Sequence, residues 1–523
     1  KEHARMEAIG GKVMKTLFYN AKVVTMDDDL IAQALLVDED KIYAVGYSEE
    51  LLNQNYDQKI DLEGKTILPG FIDAHSHLSS YAGTFTQANL EAAKSYSKIK
   101  ETLLSFAKDS DLAAGQWLIA NSYDHNRLKE KKHPTKEFLD QIFPDNPVIL
   151  QHQCGHFGVF NSLALEKLNL QGTDQDGYEE ENAYIEAVKR VPLSDANTLL
   201  RSYKKAFEAY ASYGITTVQE GMMVGAMVPM YQLLLHNDSF RLDVVGYPQI
   251  NDADLFTSSF PLNKSYHQHF RLGGYKIILD GSPQGRTAWM RTPYLNSNDY
   301  GISSMSDAEV TASVTKALND HQQLLAHCNG DRAAQQLLSM AKEVNRPEEL
   351  KELRPVIIHG QLLGIDQLPE VKHLGFIPSF FIAHVYDWGD IHIENFGLAR
   401  ASQISPANSA LKENILFTFH QDSPVIKPDM LETLWCATNR ITKKGIILGE
   451  DEIVSIKEAL KAITINAAYQ YREENTKGSL VKGKKADLVI LDQNPLEIDK
   501  KNLRDIKVLQ TYKDGKLVYQ HEF

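Results

Sequence analysis

Apolar residues in this chain gather in short runs that end on a single polar side chain, and the runs recur with helical stretches between them. The first spans residues 66–72 and leads into Asp73-Ala74-His75-Ser76-His77. Later runs cover 215–219, 241–247, 275–280, 323–327, 355–359, 375–381 and 414–422. Continuous apolar runs of this length are what a parallel sheet covered on both faces requires, because neither face of such a strand meets water. Between them the spacing predicts helices. One runs from 197 to 213 and stops at Gly214, one starts at the capping box Ser306 to Glu309, and one is capped by Ser455 with Glu458. Strand and helix alternating in this way predict an α/β fold, a (β/α)8 TIM barrel over residues 66–474.

Two regions break the rhythm. Residues 79–205 carry helical pieces and one clear strand near 147–151, and are read as an insertion after the first barrel strand. The two ends of the chain instead carry short strands between turns, at 16–19, 22–26, 34–37 and 41–45, then within 478–491 and 508–519, with Asp514-Gly515 as a hairpin turn. Neither end has enough residues to close a core alone. Residues 15–65 and 475–523 are therefore expected to build one small β-sandwich together. Met14 is a plausible natural start, with residues 1–13 an upstream extension.

Composition narrows the function classes. The 523 residues are 43% hydrophobic and 24% charged, ordinary globular values. A net charge of −14 disfavours a phosphate-tracking surface, so nucleic acid is not an expected partner. Cys154, Cys328 and Cys436 lie far apart with no Cys-x-x-Cys pair, which points away from a disulfide framework and toward a reducing, cytoplasmic setting. No run of eighteen apolar residues is present, and no membrane association is expected.

The polar residues ending the apolar runs carry the chemistry. His75 and His77 sit two positions apart, a spacing that sends both imidazoles from one strand end to one point. Lys276, His327, His359 and Asp422 are read at the C-terminal ends of the fourth, fifth, sixth and eighth strands, and a barrel keeps its chemistry at that one rim. Lys276 has two readings. It can pair with Asp280, which has the same strand parity. Alternatively, burial can leave it a neutral amine that takes up carbon dioxide as a carbamate able to bridge two metals. In the interrupting region, His152 and His156 are either hydrogen-bonded loop residues or substrate contacts.

The string Leu68-Pro69-Gly70-Phe71-Ile72-Asp73-Ala74-His75-Ser76-His77 resembles the first barrel strand of the amidohydrolase superfamily. Lys276 to Ser282 with Gly285-Arg286-Thr287-Ala288, Ala326-His327-Cys328-Asn329-Gly330-Asp331, His359-Gly360-Gln361, and Asp422-Ser423-Pro424-Val425 extend the resemblance. So do Gly155-His156 with Asn161-Ser162, and the terminal Gly478 to Val489, and together these marks point to the amidohydrolase-3 branch. The resemblance implies a metal-dependent hydrolase that cleaves a carbon–nitrogen bond of a small molecule through a metal-activated hydroxide. It implies one or two zinc ions held by His75, His77, His327, His359 and Asp422, with carboxylated Lys276 between them and Asp422 moving the proton. His156, Arg286, His384 and His420 are candidate substrate contacts, with His420 alternatively a support for a ligand. A homodimer is the candidate assembly. The same ligand set also serves ring deamination and the opening of cyclic amides or lactones, and a binding or regulatory protein without turnover is the alternative from another class.

Overall fold

The computed structural model describes residues 14–27, 31–153, 157–170, 176–192, 194–260 and 265–522. Residues 1–13, Cys154 and His156 lie outside the described residues. The chain divides into two compact units, residues 1–78 with 207–523 and residues 79–206.

In the larger unit the apolar run 66–72 is two strands, not one. Thr66–Pro69 and Phe71–Ile72 are separated by Gly70 and belong to different sheets. Successive amides make the switch: Gly70 N donates to Asp487 O and Phe71 N to Gly214 O, both at 2.8 Å. A Cβ on residue 70 would lie 2.4 Å from the Thr216 side chain, so the crossing requires glycine.

Thr66–Pro69 lies inside a six-stranded sheet drawn from both chain ends, between Leu488–Leu491 and Lys22–Val24. A four-stranded sheet holds Thr16–Tyr19, Ala34–Asp38, Lys41–Gly46 and Gln58–Asp61. The two sheets share one apolar core, in which Phe18, Leu35 and Ile42 meet Ile67, Leu488, Ile490 and Tyr512. Asp514 and Gly515 have φ of +50° and +73° and turn Val508–Lys513 into Lys516–Gln520, the conformation a two-residue hairpin loop demands.

The remaining strands of this unit are parallel and pair in chain order. Phe71–Ile72, Ile215–Met223, Asp243–Pro248 and Phe270–Leu272 form one sheet. Gly274–Ile278, Gln323–Cys328, Val356–His359, Ile377–Phe380 and Thr418–Phe419 form the next. At the step between them a Cβ on Gly274 would meet Gln323 O at 2.0 Å, so a second glycine marks a second change of sheet. Ile72, Val245, Leu325, Val356, Ile358 and Ile377 from both sheets pack in one apolar cluster with Ala467 and Tyr471. The eighth run is strand only at Thr418–Phe419, because Asn414 at φ +57° and Asp422 at +56° bend the backbone on either side. Helices Asp307–Asn319 and Ile456–Ala462 start at Ser306 and Ser455, whose hydroxyls accept from the Glu309 and Glu458 amides.

The smaller unit departs from the expectation of helical pieces around one strand. It has a five-stranded mixed sheet of Ala88–Asn89, Leu118–Tyr123, Val148–His152, Phe157–Phe160 and Tyr178–Glu180, over its own core of Ile99, Leu103, Leu118, Leu139 and Leu150. Asn161 holds it together locally. Its Oδ1 accepts from Val148 N at 2.8 Å and from Ala164 N at 3.0 Å, tying a strand start to a helix start. Among the described residues no helix is long and apolar enough to cross a membrane.

Candidate metal centre

The strand before the two histidines ends at Ile72, so His75 and His77 project from the following loop rather than from the strand itself. Backbone bonds fix that loop, His77 N donating to Ser423 O at 2.9 Å and Asp422 N to His75 O at 3.2 Å. They bring the Asp422 carboxylate against both rings. Its Oδ1 lies 3.5 Å from His75 Nε2 and 3.4 Å from His77 Nε2, and its Oδ2 3.9 Å from His359 Nε2. His359 ends Val356–His359, and the His327 ring stands 4.7 Å from the His359 ring, centre to centre. Lys276 Nζ, from the middle of Gly274–Ile278, lies 3.4 Å from His75 Nε2. All six residues named at run ends thus meet in one place.

Hydrogen bonds decide which nitrogen each imidazole presents. Gln219 donates through Nε2 to Ala74 O at 2.8 Å and to the Tyr471 hydroxyl at 2.9 Å, which leaves its Oε1 facing His75 Nδ1 at 2.5 Å. An amide oxygen only accepts, so His75 carries its proton on Nδ1 and turns an Nε2 lone pair to Lys276 and Asp422. His359 Nδ1 pairs with His420 Nε2 at 3.1 Å, and His420 Nδ1 with Ser379 Oγ at 2.9 Å. With both nitrogens engaged and its ring fully buried, His420 orients His359 and is placed as a support rather than a substrate contact. Gln219, Ser379 and Tyr471 were not singled out by the run pattern. Gln219 had one legible signal, as the polar residue ending the second run.

Burial sets the charges. It drives His75 and His359 well below the ordinary imidazole range, with neighbouring histidines and Lys276 adding to the effect, and takes His420 down to about 3. These rings are neutral and can donate lone pairs. Burial also holds the Lys276 amine down to about 7, against an upward pull from Asp422. The pairing of Lys276 with Asp280 is not formed. Asp280 accepts from the backbone amides of Asn329, Gly330 and Trp289 at 2.9, 2.7 and 3.0 Å, and faces His327 Nδ1 at 3.4 Å.

Two features show strain or incomplete pairing here. His359 and Asp422 have φ of +75° and +56°, a region that costs a non-glycine residue about 1–3 kcal/mol. Asp422 Oδ1 is buried without a hydrogen-bond partner. A carboxylate oxygen left so, with donor atoms of His75, His359 and Asp422 all within 4.8 Å of one another, fits a divalent cation.

The other candidates lie farther along the loops. His384 is buried and pairs through Nδ1 with His392 Nε2 at 3.0 Å, while the Phe381 ring packs against both His384 and His420. Arg286 donates to Asn395 Oδ1 at 2.8 Å and so ties the loop after the fourth run to the one after the seventh. Its recorded contacts are with Asn395 and the Tyr294 ring, none with the histidines.

The comparisons with known proteins identify the family. A family model described as the Amidohydrolase family matches residues 58–519. The N-substituted formamide deformylase of Arthrobacter pascens is 26% identical, the alignment covering 96% of this chain and 98% of that one. A putative amidohydrolase of Bacillus subtilis, YtcJ, is 24% identical over 97% of this chain and all of that one. An uncharacterised metal-dependent hydrolase from Pyrococcus furiosus superposes with a TM-score of 0.74 at 25% identity, over 92% of this chain and all of its own. The chain belongs to the amidohydrolase family, enzymes that act on carbon–nitrogen bonds.

Proposed function

We propose that this protein hydrolyses an amide-type carbon–nitrogen bond in a small molecule, using one or two zinc ions held by the histidine group. In this reading the two parallel sheets form a (β/α)8 barrel, residues 79–205 are inserted after its first strand, and the segments 15–65 and 475–523 make a β-sandwich. His75, His77 and Asp422 would hold one ion and His327 and His359 a second, with Lys276, as a carbamate, supplying further oxygen donors. To form it, the neutral amine attacks carbon dioxide, a nitrogen–carbon bond is made, and the amine proton passes to solvent.

When bound, such ions supply a Lewis acid that polarises a carbonyl and lowers the pKa of water toward about 7. The chain supplies the rest. Asp422 accepts the proton of the attacking water and returns it to the leaving amine nitrogen, which prevents collapse back to substrate. Gln219 and His420 keep the His75 and His359 rings turned toward the centre. N-formyl and N-acyl amines are the substrate class, a choice supported by the formamide deformylase relative. The protein works in the cytoplasm, with a homodimer as its assembly.

The observation that carries this reading is the convergence of His75, His359 and Asp422 beside a buried lysine for which no ion pair is recorded among the described residues. Elemental analysis of protein purified without chelator tests it, together with a screen of N-formyl and N-acyl amines. About one or two zinc ions per chain that are lost in His75→Ala/His359→Ala, and amine release, are expected. Protein that takes up no zinc on addition, or a Lys276→Ala variant with full activity and full metal, would overturn it.

A further inference from the structure

The smaller unit carries a second gathering of metal-type donors, made entirely from residues 79–206. Strands Leu118–Tyr123 and Val148–His152 run parallel, with Tyr123 opposite His152 at their C-terminal ends. Ser122, at φ +63°, turns the chain as it leaves the first of them, and Asp124 and His125 follow. His125 Nδ1 comes to rest 3.3 Å from His152 Nε2, which is itself 3.6 Å from Asp124 Oδ1. Those separations suit a shared ion. A tetrahedral ion with bonds of about 2.1 Å has ligand–ligand edges of about 3.4 Å, between the two observed values. A hydrogen-bonded pair of rings requires only the first contact, and the Asp124 oxygen beside His152 is accounted for by an ion pair or by a shared cation.

The rings are also held in place. His152 stacks on Phe157 at 4.1 Å, and His125 lies against His133 at 4.0 Å, with His133 Nδ1 fixed by the Tyr123 hydroxyl at 3.1 Å. Asp124 Oδ1 accepts from Asn126 N at 2.9 Å and keeps a second lone pair, while its Oδ2 faces the exposed Arg127 Nε at 3.6 Å. Side-chain exposures of 20% for Asp124 and 9% for His152 leave a way in for an ion while covering most of the donor set. A third gathering, Asp243 with His269 and Asp514, is different, because Lys513 bonds both carboxylates at 2.9 and 3.0 Å and Lys477 adds a second cation on Asp243, whereas Asp124 has only the exposed Arg127 at 3.6 Å.

We propose that Asp124, His125 and His152 form a zinc site that clamps the ends of these two strands. Three protein ligands leave one position for water or a small exchangeable anion. The nitrogen-rich donor set suits zinc over magnesium or calcium.

The test uses the full chain, stripped with chelator and titrated with zinc against a chromophoric competitor. Wild type is expected to bind one equivalent more than His125→Ala/His152→Ala. The same single equivalent should disappear when that pair is changed in a His359→Ala background, so the outcome does not depend on the centre at His75 and His359. In cobalt-loaded protein, one tetrahedral absorption band is lost with the pair. Circular dichroism checks the fold. If the double variant does not fold, Asp124→Asn decides, with zinc binding at this site weakened by roughly 10-fold or more. Equal stoichiometry and equal cobalt spectra in wild type and variants would overturn the proposal and leave a hydrogen-bonded cluster.

Discussion

Lys276 and the pair Lys477 and Lys513 are buried to the same degree, each residue 2% exposed, yet their surroundings push them in opposite directions. Lys276 faces neutral imidazoles, and burial takes its amine down to about 7. Lys477 meets Asp243 Oδ2 at 2.5 Å and Glu473 Oε2 at 2.9 Å, and Lys513 meets Asp243, Asp487 and Asp514 at 2.9 to 3.0 Å. Desolvation is again the largest influence on both. It is outweighed by the carboxylates, and both ammonium groups are held above the ordinary lysine range. Burial alone therefore decides neither charge nor role. A buried lysine with matched carboxylates stays charged, and one with only the pull of Asp422 against burial is held toward the neutral amine.

The largest expected effect breaks the comparison from the structural side. Lys477→Met leaves the buried Asp243 and Glu473 short of a cation and should cost about 3–5 kcal/mol of stability in chemical denaturation. Lys276→Met removes a charge that burial already disfavours, so its unfolding midpoint should hold or rise while turnover is lost. Similar losses of stability in both variants would show that the two environments are equivalent after all.

Asp422→Asn comes next. It retains the size of the side chain and removes the base, and at saturating zinc a drop in turnover of roughly 10²-fold or more is expected with the melting temperature little changed. Turnover within a few fold of wild type would take Asp422 out of the mechanism. A smaller effect sharpens the role of the supports. With His420→Ala the His359 ring loses its Nδ1 partner, and zinc affinity should fall about 10- to 100-fold, with activity recovered at saturating zinc. Loss of activity that saturating zinc does not restore would assign His420 a part in the chemistry itself.

The smallest effect is a pH slope. Between about 7 and 10.5 the unfolded chain keeps a proton on Lys276 that the folded chain has released, so this residue makes stability rise with pH, by at most about 1.4 kcal/mol per pH unit. Lys477 and Lys513 have raised values, and their contribution is complete below 10.5 and lost only as pH climbs beyond it. In metal-free, carbon dioxide-free buffer, the melting-temperature advantage of Lys276→Met over wild type should therefore shrink from pH 7 to 10. A constant difference would mean that the amine keeps its proton in the folded protein.

Much of the centre was legible because parallel strands covered on both faces are written as apolar runs, and a polar residue closing such a run stands out. His327, His359 and Asp422 were visible in that way, as were the order of the strands and the helix starts at Ser306 and Ser455. What stayed hidden depends on pairing across long stretches of chain. The change of sheet at Gly70 is set by Thr216, the tautomer of His75 by Gln219 and Tyr471, and the true partners of Asp280 by amides some 50 residues further on. The sheet of the smaller unit escaped notice because its strands are short and partly polar, as in Leu118–Tyr123, and gain their apolar cover only from helices such as Tyr96–Asp109. Local pattern thus determined which residues end strands and carry donor atoms. Tertiary structure alone decided which buried charge found a partner, because desolvation and Coulomb attraction depend on neighbours that only folding brings together.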